Sequence, residues 1–243
     1  MCRMLIALGK FSVEPLLGSL SCAAQDQAST HELNEAKGRG TYVHKDGWGI
    51  AYLKRTHWTV KKSLLPLFAD EGKKEFYGLK TKAVLIHARK RSKGELNEEN
   101  THPFFAKHRK EGEIVFAHNG TISGNITCSK PEKVRGSTDS ERLFEAILEH
   151  FSPEHPEIIR ETIARCKDWD GTNVILATAK KTFISVNFKR YPHYFGMVLG
   201  KKPGLVCVSS ERLPLLKNVT WEKIKNGEIL VIDHKTLQVE RHN

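Results

Sequence analysis

Short apolar runs of strand length recur along this chain of 243 residues, and they constrain its fold more than any other feature. These runs are predicted strands, at residues 2–8, 48–52, 58–60, 83–86, 114–117, 173–179, 183–188, 194–199, 205–209, 228–232 and 236–240. Helical patterns cover only residues 14–23, 137–151 and 156–168. Many strands with few helices, two of them in mid-chain, predict an α+β fold rather than a regular array of βαβ units.

Polar and charged segments separate these elements. Residues 25–40 and 90–110 are predicted as loops, and the tripeptide His-Asn-Gly at 118–120 is predicted as a turn. Ser-Thr followed by acidic residues at 137–141 predicts the start of a helix. No repeat, low-complexity segment or Pro/Gly-rich linker divides the chain, so residues 2–243 are expected to form one domain.

The chain is basic and has few features of a secreted or membrane protein. Its 39 Lys and Arg residues against 28 Asp and Glu give a net charge of +11, which is typical of proteins that bind nucleic acid or acidic partners. No apolar run reaches the ~18 residues of a membrane-spanning helix, and the N-terminus lacks a signal-peptide pattern. Five scattered cysteines without a CxxC pair argue against a disulfide framework and favour the cytoplasm. No zinc-binding spacing is present, and neither a metal nor another cofactor is expected.

Cys2 is the first candidate catalytic residue. Initiator methionine is commonly removed when the second residue is small, and its removal leaves a free α-amine beside the Cys2 thiol. An α-amine has a pKa of about 7.7–8.0 and can act as a general base for the thiol of its own residue. The alternative is a buried, unreactive cysteine at the start of a strand, because cysteine is among the most buried residue types.

Four further residues have the chemistry that an amide-cleaving site needs. The Asn119 side-chain amide and the Gly120 backbone N–H can stabilise a tetrahedral oxyanion, the alternative being an ordinary Asn-Gly turn. Arg89 ends an apolar strand and can bind a carboxylate through its planar guanidinium, the alternative being a surface arginine in a basic loop. Asp139 can bind an ammonium group, or it only caps a helix.

The order of motifs along the chain is more specific than any one of them. It runs Met-Cys-Arg at 1–3, Asp-Gly-Trp-Gly-Ile-Ala-Tyr at 46–52, His-Ala-Arg at 87–89, Asn-Thr-His-Pro-Phe at 100–104, Phe-Ala-His-Asn-Gly-Thr-Ile at 116–122, Ser-Thr-Asp-Ser-Glu at 137–141 and Val-Ser-Ser-Glu at 208–211. In this order the sequence resembles the class II glutamine amidotransferases, which are N-terminal nucleophile glutaminases. It is most similar to their stand-alone branch, and the resemblance extends over residues 2–211.

The resemblance implies both a fold and a mechanism. The fold is a four-layer αββα sandwich of two stacked antiparallel sheets, the N-terminal nucleophile (Ntn) hydrolase fold. Cys2 would be the nucleophile and its freed amine the base. Asn119 and Gly120 would form the oxyanion hole. Arg89 would bind the α-carboxylate of glutamine, and Asp139 its α-amine.

The sequence departs from that of the larger amidotransferases directly after Arg89. There the family reads Trp-Ala-Thr-His-Gly, whereas residues 90–94 here are Lys-Arg-Ser-Lys-Gly. The expected substrate is therefore glutamine or a larger γ-glutamyl compound. Released ammonia or amine would pass to a separate synthase subunit, unless the protein is a plain amidohydrolase. By the same resemblance, His102 would help to build the pocket without a catalytic role.

The basic charge also suits a different class of function. A non-enzymatic binding protein or a regulatory subunit that contacts RNA or an acidic partner would use the net charge and the basic residues of 90–110. The sequence lacks a ribonucleoprotein aromatic motif, a KH loop and a zinc finger. It therefore favours a cysteine-dependent amidohydrolase of small molecules, with neither a membrane nor a specific nucleic acid as partner.

Overall fold

The fold is built on two stacked antiparallel sheets, whose strands are numbered in chain order. In the computed structural model, which describes residues 1–242, sheet A has seven strands: β1 (Cys2–Gly9), β2 (Trp48–Lys54), β3 (His57–Ser63), β4 (Ala83–Arg89), β9 (Val198–Lys202), β10 (Leu205–Ser209) and β11 (Thr220–Lys223). Sheet B has six in the same range: β5 (Phe104–His108), β6 (Gly112–Ile122), β7 (Trp169–Ala177), β8 (Lys181–Ser185), β12 (Ile229–Asp233) and β13 (Val239–His242). The orders are β11-β9-β10-β1-β4-β2-β3 and β13-β12-β8-β7-β6-β5.

Helices cover the outer faces of the two sheets. They are α1 (Val13–Ala24), α2 (Asp139–Leu148) and α3 (Ile158–Ala164). A short helix, α4 (Pro192–Phe195), contacts β7, and 3₁₀ turns lie at Glu71–Phe76 and Pro131–Lys133. Helix α1 packs on β1 and β4 of sheet A, whereas α2 packs on β5 and β6 of sheet B and on α3. The layers are therefore helix, sheet A, sheet B and helix, which confirms the predicted αββα sandwich. No helix within residues 1–242 is long and apolar enough to cross a bilayer.

The central strand β1 contributes to two separate cores. Met4 and Ile6 point into the space between the sheets, where they cluster with sheet B residues such as Ile175. Leu5 points to the other face and packs in a second cluster with Leu17 of α1. Because successive side chains of a strand point to opposite faces, β1 is buried on both sides, which explains its uninterrupted apolar run. A third cluster packs α2 and α3 onto sheet B.

Residues 118–120 do not form the predicted turn. They continue β6 and pair with β7, with Asn119 opposite Asn173 and Gly120 opposite Thr172. The prediction was wrong because an Asn-Gly pair favours a turn only where no neighbouring strand binds its backbone. The register shifts only after Gly120, before Ile122.

Four other elements differ from the predictions. The expected loop at 90–110 contains β5, an edge strand of five residues that lies within a charged segment and is too short to show a clear strand pattern. The expected strand at 194–199 begins instead as α4, because Pro192 occupies its first turn. The expected helix at 156–168 is shorter, with α3 confined to Ile158–Ala164, and the strand β11 was not predicted at all.

The inter-sheet core can be tested at Leu230, which is fully buried in it. Leu230→Ala leaves a cavity between the sheets, so we expect the free energy of unfolding to fall by about 2–5 kcal/mol in urea denaturation. Leu65, which is 57% exposed, is the matched control, and Leu65→Ala should change stability by less than ~0.5 kcal/mol. Equal effects at the two positions would contradict the stacked-sheet core.

Candidate active site

Cys2 lies at one end of the inter-sheet core, as the first residue of β1. It is opposite Arg89 in the ladder that β1 forms with β4. Its backbone N–H donates a hydrogen bond of 2.6 Å to Oδ1 of Asn119 on β6. Because β1 and β6 belong to different sheets, this hydrogen bond joins the sheets beside the predicted nucleophile. The structure thus brings three of the predicted site residues together.

The Cys2 thiol is acidic even though its residue is only 5% exposed. Burial alone raises the thiol pKa, but the positive charge of the chain N-terminus, followed by the His87 imidazole, outweighs burial and lowers the pKa to about 6. The thiolate is the nucleophilic form of cysteine, so the Cys2 side chain is largely in its reactive form at neutral pH.

The side chain of Asn119 has an unsatisfied donor. Its Oδ1 accepts the Cys2 N–H, while its Nδ2 has no hydrogen-bond partner within residues 1–242, although the residue is 1% exposed. A buried donor without an acceptor is destabilising, and a bound anion would satisfy it. At the next position only glycine fits, because a Cβ on Gly120 would collide with the Gly171 carbonyl oxygen and lie 2.6 Å from His118 Nε2.

Arg89 is buried and is held by the segment that follows it. Its Nη1 donates to the Glu95 carbonyl at 3.1 Å, and its Nη2 donates to the Lys93 carbonyl at 3.0 Å. Burial lowers the pKa of the guanidinium, and the negative charges of Cys2 and Asp139 are among the interactions that oppose this effect. Arg89 therefore lies within electrostatic range of Cys2 and Asp139. Two of its N–H donors are bonded to backbone carbonyls of the segment after it.

Asp139 is the first residue of α2, as the sequence predicts. The Thr138 side chain caps this helix by accepting the Glu141 N–H at 3.3 Å. The Asp139 carboxylate points back to β6, where Oδ2 accepts the Ile122 N–H at 2.5 Å, and Oδ1 accepts the Ser140 N–H at 3.0 Å. The carboxylate thus ties α2 to the end of β6, close to the Asn119-Gly120 pair.

A network that sequence reasoning missed holds the backbone of Cys2. The Tyr194 hydroxyl donates to the Cys2 carbonyl at 3.3 Å and lies 3.0 Å from His44 Nε2. The Arg3 guanidinium donates to the Tyr194 carbonyl at 3.0 Å, lies 4.3 Å from the Tyr194 ring centre and forms a salt bridge of 3.2 Å with Glu211. The sequence signals were Arg3, in the Met-Cys-Arg motif, and Glu211, in the Val-Ser-Ser-Glu motif, because Tyr194 and His44 belong to none of the motifs that carry the resemblance.

Met1 occupies the entrance to the site. Its amino group donates to the Lys90 carbonyl at 2.9 Å, and its Sδ lies 3.7 Å from the Tyr42 hydroxyl. While Met1 is present, the nitrogen of Cys2 is an amide that donates a hydrogen bond and has no basic lone pair. The thiol is in place, but the amine that the proposed chemistry needs is blocked.

A cleft of about 470 Å³ opens beside Met1. Its wall includes Thr121, which directly follows the Asn119-Gly120 pair, and the aromatic rings of Trp169 and Phe195. A groove of about 1460 Å³ lies elsewhere, between β3, β5 and α2. Neither cavity is lined by a predicted site residue within the described part of the chain, but the smaller one adjoins the candidate site through Met1 and Thr121, the sequence neighbours of Cys2 and Gly120.

Comparison with known sequences places the chain in a family. The sequence profile of the class II glutamine amidotransferases matches residues 16–170. YafJ of Escherichia coli K12, whose own description as a glutamine amidotransferase is provisional, is 27% identical over 221 residues, covering 79% of this chain and 86% of YafJ. A Haemophilus influenzae protein with the same provisional description is 30% identical over 224 residues, covering 77% of this chain and 73% of that protein.

Solved structures share the fold. Glutamine phosphoribosylpyrophosphate amidotransferase of Bacillus subtilis superimposes with a TM-score of 0.67 at 16% identity, over 99% of this chain and 49% of that one. The chain therefore spans about half the length of that enzyme, and the likeness confirms the predicted Ntn-hydrolase sandwich. Because the family profile covers more than half of the chain and both relatives align with about three quarters of it, the protein belongs to the class II glutamine amidotransferases.

Proposed function

We propose that the protein hydrolyses the side-chain amide of glutamine, or of a γ-glutamyl compound, through a thioester on Cys2. The observation that carries this proposal is the meeting, at one end of the inter-sheet core, of a thiol with a lowered pKa and a buried amide donor, Asn119 Nδ2, without a partner. Membership of the glutamine amidotransferases supports an enzyme that takes glutamine as substrate.

Removal of Met1 would activate the site. The Cys2 nitrogen already lies 2.6 Å from Asn119 Oδ1, and as a free amine it would stay beside its own thiol. An α-amine with a pKa of about 7.7–8.0 exchanges protons readily near neutral pH. It can therefore give a proton to the leaving nitrogen and later take one from the hydrolytic water.

The reaction would proceed in two steps. In the first, the Cys2 α-amine takes the proton of the thiol, Cys2 Sγ bonds to the amide carbon, and the carbonyl π electrons move to the oxygen, which becomes an oxyanion that the Asn119 Nδ2 and the Gly120 N–H stabilise. The C–N bond then breaks, the Cys2 amine supplies the proton, and ammonia or an amine leaves. In the second step, water attacks the thioester, releases glutamate and regenerates the thiol.

Arg89 and Asp139 would hold the two charged ends of the substrate. A zwitterionic amino acid needs one cation and one anion placed close together, and these two residues lie within electrostatic range of each other. The Arg89 guanidinium has five N–H donors, and the bonds to the carbonyls of Lys93 and Glu95 use one on Nη1 and one on Nη2. A substrate carboxylate would bind to the donors that these two bonds leave, while the two carbonyls keep the guanidinium oriented.

The cleft beside Met1 is the proposed place for the part of a substrate that is larger than glutamine. In this proposal the cleft of about 470 Å³ receives the amine half of a γ-glutamyl compound, which would lie against Trp169 and Phe195. We further propose that residues 2–243 act as one domain in the cytoplasm. The released ammonia or amine would pass to a separate synthase subunit, or would diffuse into the solvent if the protein is a plain amidohydrolase. Of residues 2–243, Asn243 lies outside the part of the chain that the structure describes.

The ionisation of Cys2 gives the first test of this mechanism. Iodoacetamide reacts with thiolates, so its rate at Cys2 should rise about tenfold per pH unit below pH 6 and level out above it. Mass spectrometry of quenched samples measures the rate. Cys207, whose thiol pKa burial raises to about 12, should remain unmodified and is an internal control. A midpoint for Cys2 at pH 8.5 would contradict an activated thiol.

The nucleophile is tested by Cys2→Ala. We expect glutamate release from glutamine and from γ-glutamyl-p-nitroanilide to fall at least ~1,000-fold, because no thioester can form. Cys128→Ala, which changes a partly buried cysteine outside the site, should retain activity. The mass of the active protein should show that Met1 is absent. Full activity in Cys2→Ala would refute the mechanism, and salt-sensitive RNA binding without glutamate release would favour the basic binding protein.

The roles of the charged pair are tested with a truncated substrate. Wild-type enzyme should prefer glutamine over the analogue that lacks its α-amino group, and Asp139→Asn should reduce this preference about 10–100-fold because the charged contact is lost. Arg89→Gln should raise KM for both substrates. Arg91→Gln, an exposed neighbour, is the control and should change neither quantity. An unchanged preference in Asp139→Asn would contradict the assigned amine contact.

A further inference from the structure

The backbone of Cys2 lies outside the strand ladders that hold the rest of β1. On one side of β1, Cys2 is opposite Arg89 of β4. The Arg89 N–H donates instead to the Gly47 carbonyl, and the Arg89 carbonyl accepts the Asp46 N–H. On the other side, β10 pairs with β1 only from Leu5 onwards, so it ends before Cys2. The predicted nucleophile therefore needs partners other than strands.

Two side chains occupy the place that a longer β10 would take. Asn119 Oδ1 accepts the Cys2 N–H at 2.6 Å, and the Tyr194 hydroxyl donates to the Cys2 carbonyl at 3.3 Å. Two residues further along β1, the Met4 N–H donates to Ser210 Oγ at 3.0 Å, and the Met4 carbonyl accepts the Ser210 N–H at 3.0 Å. Because backbone groups of residues two apart in a strand point to the same side, Asn119 and Tyr194 continue the ladder that β10 begins.

Tyr194 is itself held from several directions. It is fully buried in α4, where Arg3 Nη1 donates to its carbonyl at 3.0 Å and the guanidinium lies 4.3 Å from its ring centre. Glu32 Oε2 accepts the Tyr194 N–H at 3.1 Å, and His44 Nε2 lies 3.0 Å from the hydroxyl. A buried and connected polar network of this kind rigidifies its members. The hydroxyl is therefore a fixed point for the Cys2 carbonyl.

The Tyr194 hydroxyl also remains a donor. Burial raises the pKa of this hydroxyl well above the ordinary tyrosine value, although the nearby Arg3 cation opposes the effect. The hydroxyl therefore keeps its proton over the range near pH 6 in which the Cys2 thiol ionises. Since a carbonyl oxygen only accepts hydrogen bonds, a donor is what this position requires.

Removal of Met1 makes the two side-chain contacts more important. In the proposed active form Cys2 is the first residue, and the hydrogen bond that the Met1 amino group makes is lost. Terminal residues are poorly ordered unless they are tied down. Asn119 then holds the amine of Cys2, while Tyr194 holds the carbonyl on the other side of the Cα that carries the thiol.

We propose that Tyr194 is a positioning residue, whose hydroxyl fixes the peptide plane after Cys2 so that the thiol faces the oxyanion donors. Rotation of this plane would move the amine and the thiol together, away from the proposed donors of Asn119 and Gly120. A misplacement of about 1 Å can slow a reaction about 100-fold. Tyr194 acts through the backbone of Cys2 and not on the reacting atoms. This inference rests on the proposed function, because it concerns the same nucleophile.

The kinetic test is Tyr194→Phe, which removes the hydroxyl and keeps the ring. In protein that begins at Cys2, we expect kcat for glutamate release from glutamine to fall at least about tenfold, with KM within about twofold of wild type. KM is kept because Arg89 and Asp139 still hold the substrate. Iodoacetamide should alkylate Cys2 at the wild-type rate at pH 8, because this small reagent needs a thiolate but no fixed orientation. Tyr52→Phe, which removes another buried hydroxyl on the α1 side of sheet A, should change none of these quantities.

NMR reports the hydrogen bond without a substrate. Cys2 is the one cysteine in the sequence that precedes an arginine, so labels on the cysteine carbonyl carbon and the arginine nitrogen give a single correlation, between Cys2 and Arg3. Tyr194→Phe should move the carbonyl signal upfield, whereas Tyr52→Phe should leave it in place. In case Tyr194→Phe does not fold, ring-fluorinated tyrosine in the wild-type protein makes the hydroxyl a stronger donor and should move the signal downfield.

The outcomes separate this inference from the proposed function. A folded Tyr194→Phe with unchanged kcat, or a carbonyl signal that neither substitution nor fluorination moves, would overturn the inference. A loss of iodoacetamide reactivity as large as the loss of kcat would also overturn it, because the hydroxyl would then control the ionisation of the thiol and not its position. A carbonyl signal that depends on Tyr194, in a protein that releases no glutamate from any γ-glutamyl substrate, would refute the proposed function alone.

Discussion

The hydrogen bond from the Cys2 backbone N–H to Asn119 Oδ1 is the contact on which the site depends. It links sheet A to sheet B where their shared core ends, between residues that are 117 positions apart in the chain. Because an amide group is planar, fixing Oδ1 also fixes the direction of Nδ2, which is the donor without a partner. One contact therefore positions both the nitrogen of the proposed nucleophile, Cys2, and the group proposed to stabilise the oxyanion. The Tyr194 hydroxyl holds the same residue from its carbonyl side.

Burial has opposite effects on the parts of this site. It raises the pKa of the Cys2 thiol and lowers the pKa of Arg89, so each charge needs compensation from its neighbours. The thiolate obtains it from the N-terminal charge and His87, and the guanidinium obtains it from the carbonyls of Lys93 and Glu95. The nitrogens without partners are concentrated here, on Asn119, His87, His102 and His118. These unpartnered nitrogens lower the free energy of unfolding, and we propose that hydrogen bonds to a bound substrate offset part of that loss.

Elements buried on both faces were the easiest to predict. The apolar runs of β1 and β4 are packed by helix α1 on one side and by sheet B on the other, so local hydrophobicity alone marks them. Edge and short elements carry a weaker signal. Strand β5 has only five residues, with Phe105 and Lys107 at its exposed positions, and α4 has only four residues. The turn predicted at 118–120 failed because β7 binds the backbone that a turn would have used.

The sequence by itself determined the kinds of residue in the candidate site, because the order of its motifs identified Cys2, Arg89, Asn119 and Asp139 as candidates. The same order of motifs indicated the fold family. Only the tertiary structure decided how these residues are arranged. Sheet stacking brings Asn119 to Cys2, and the early end of β10 leaves the Cys2 carbonyl to the Tyr194 hydroxyl. These contacts join residues far apart in the chain, and they depend on register and layer packing. Neither is specified by any local pattern, because each is set by the combined burial of all the layers.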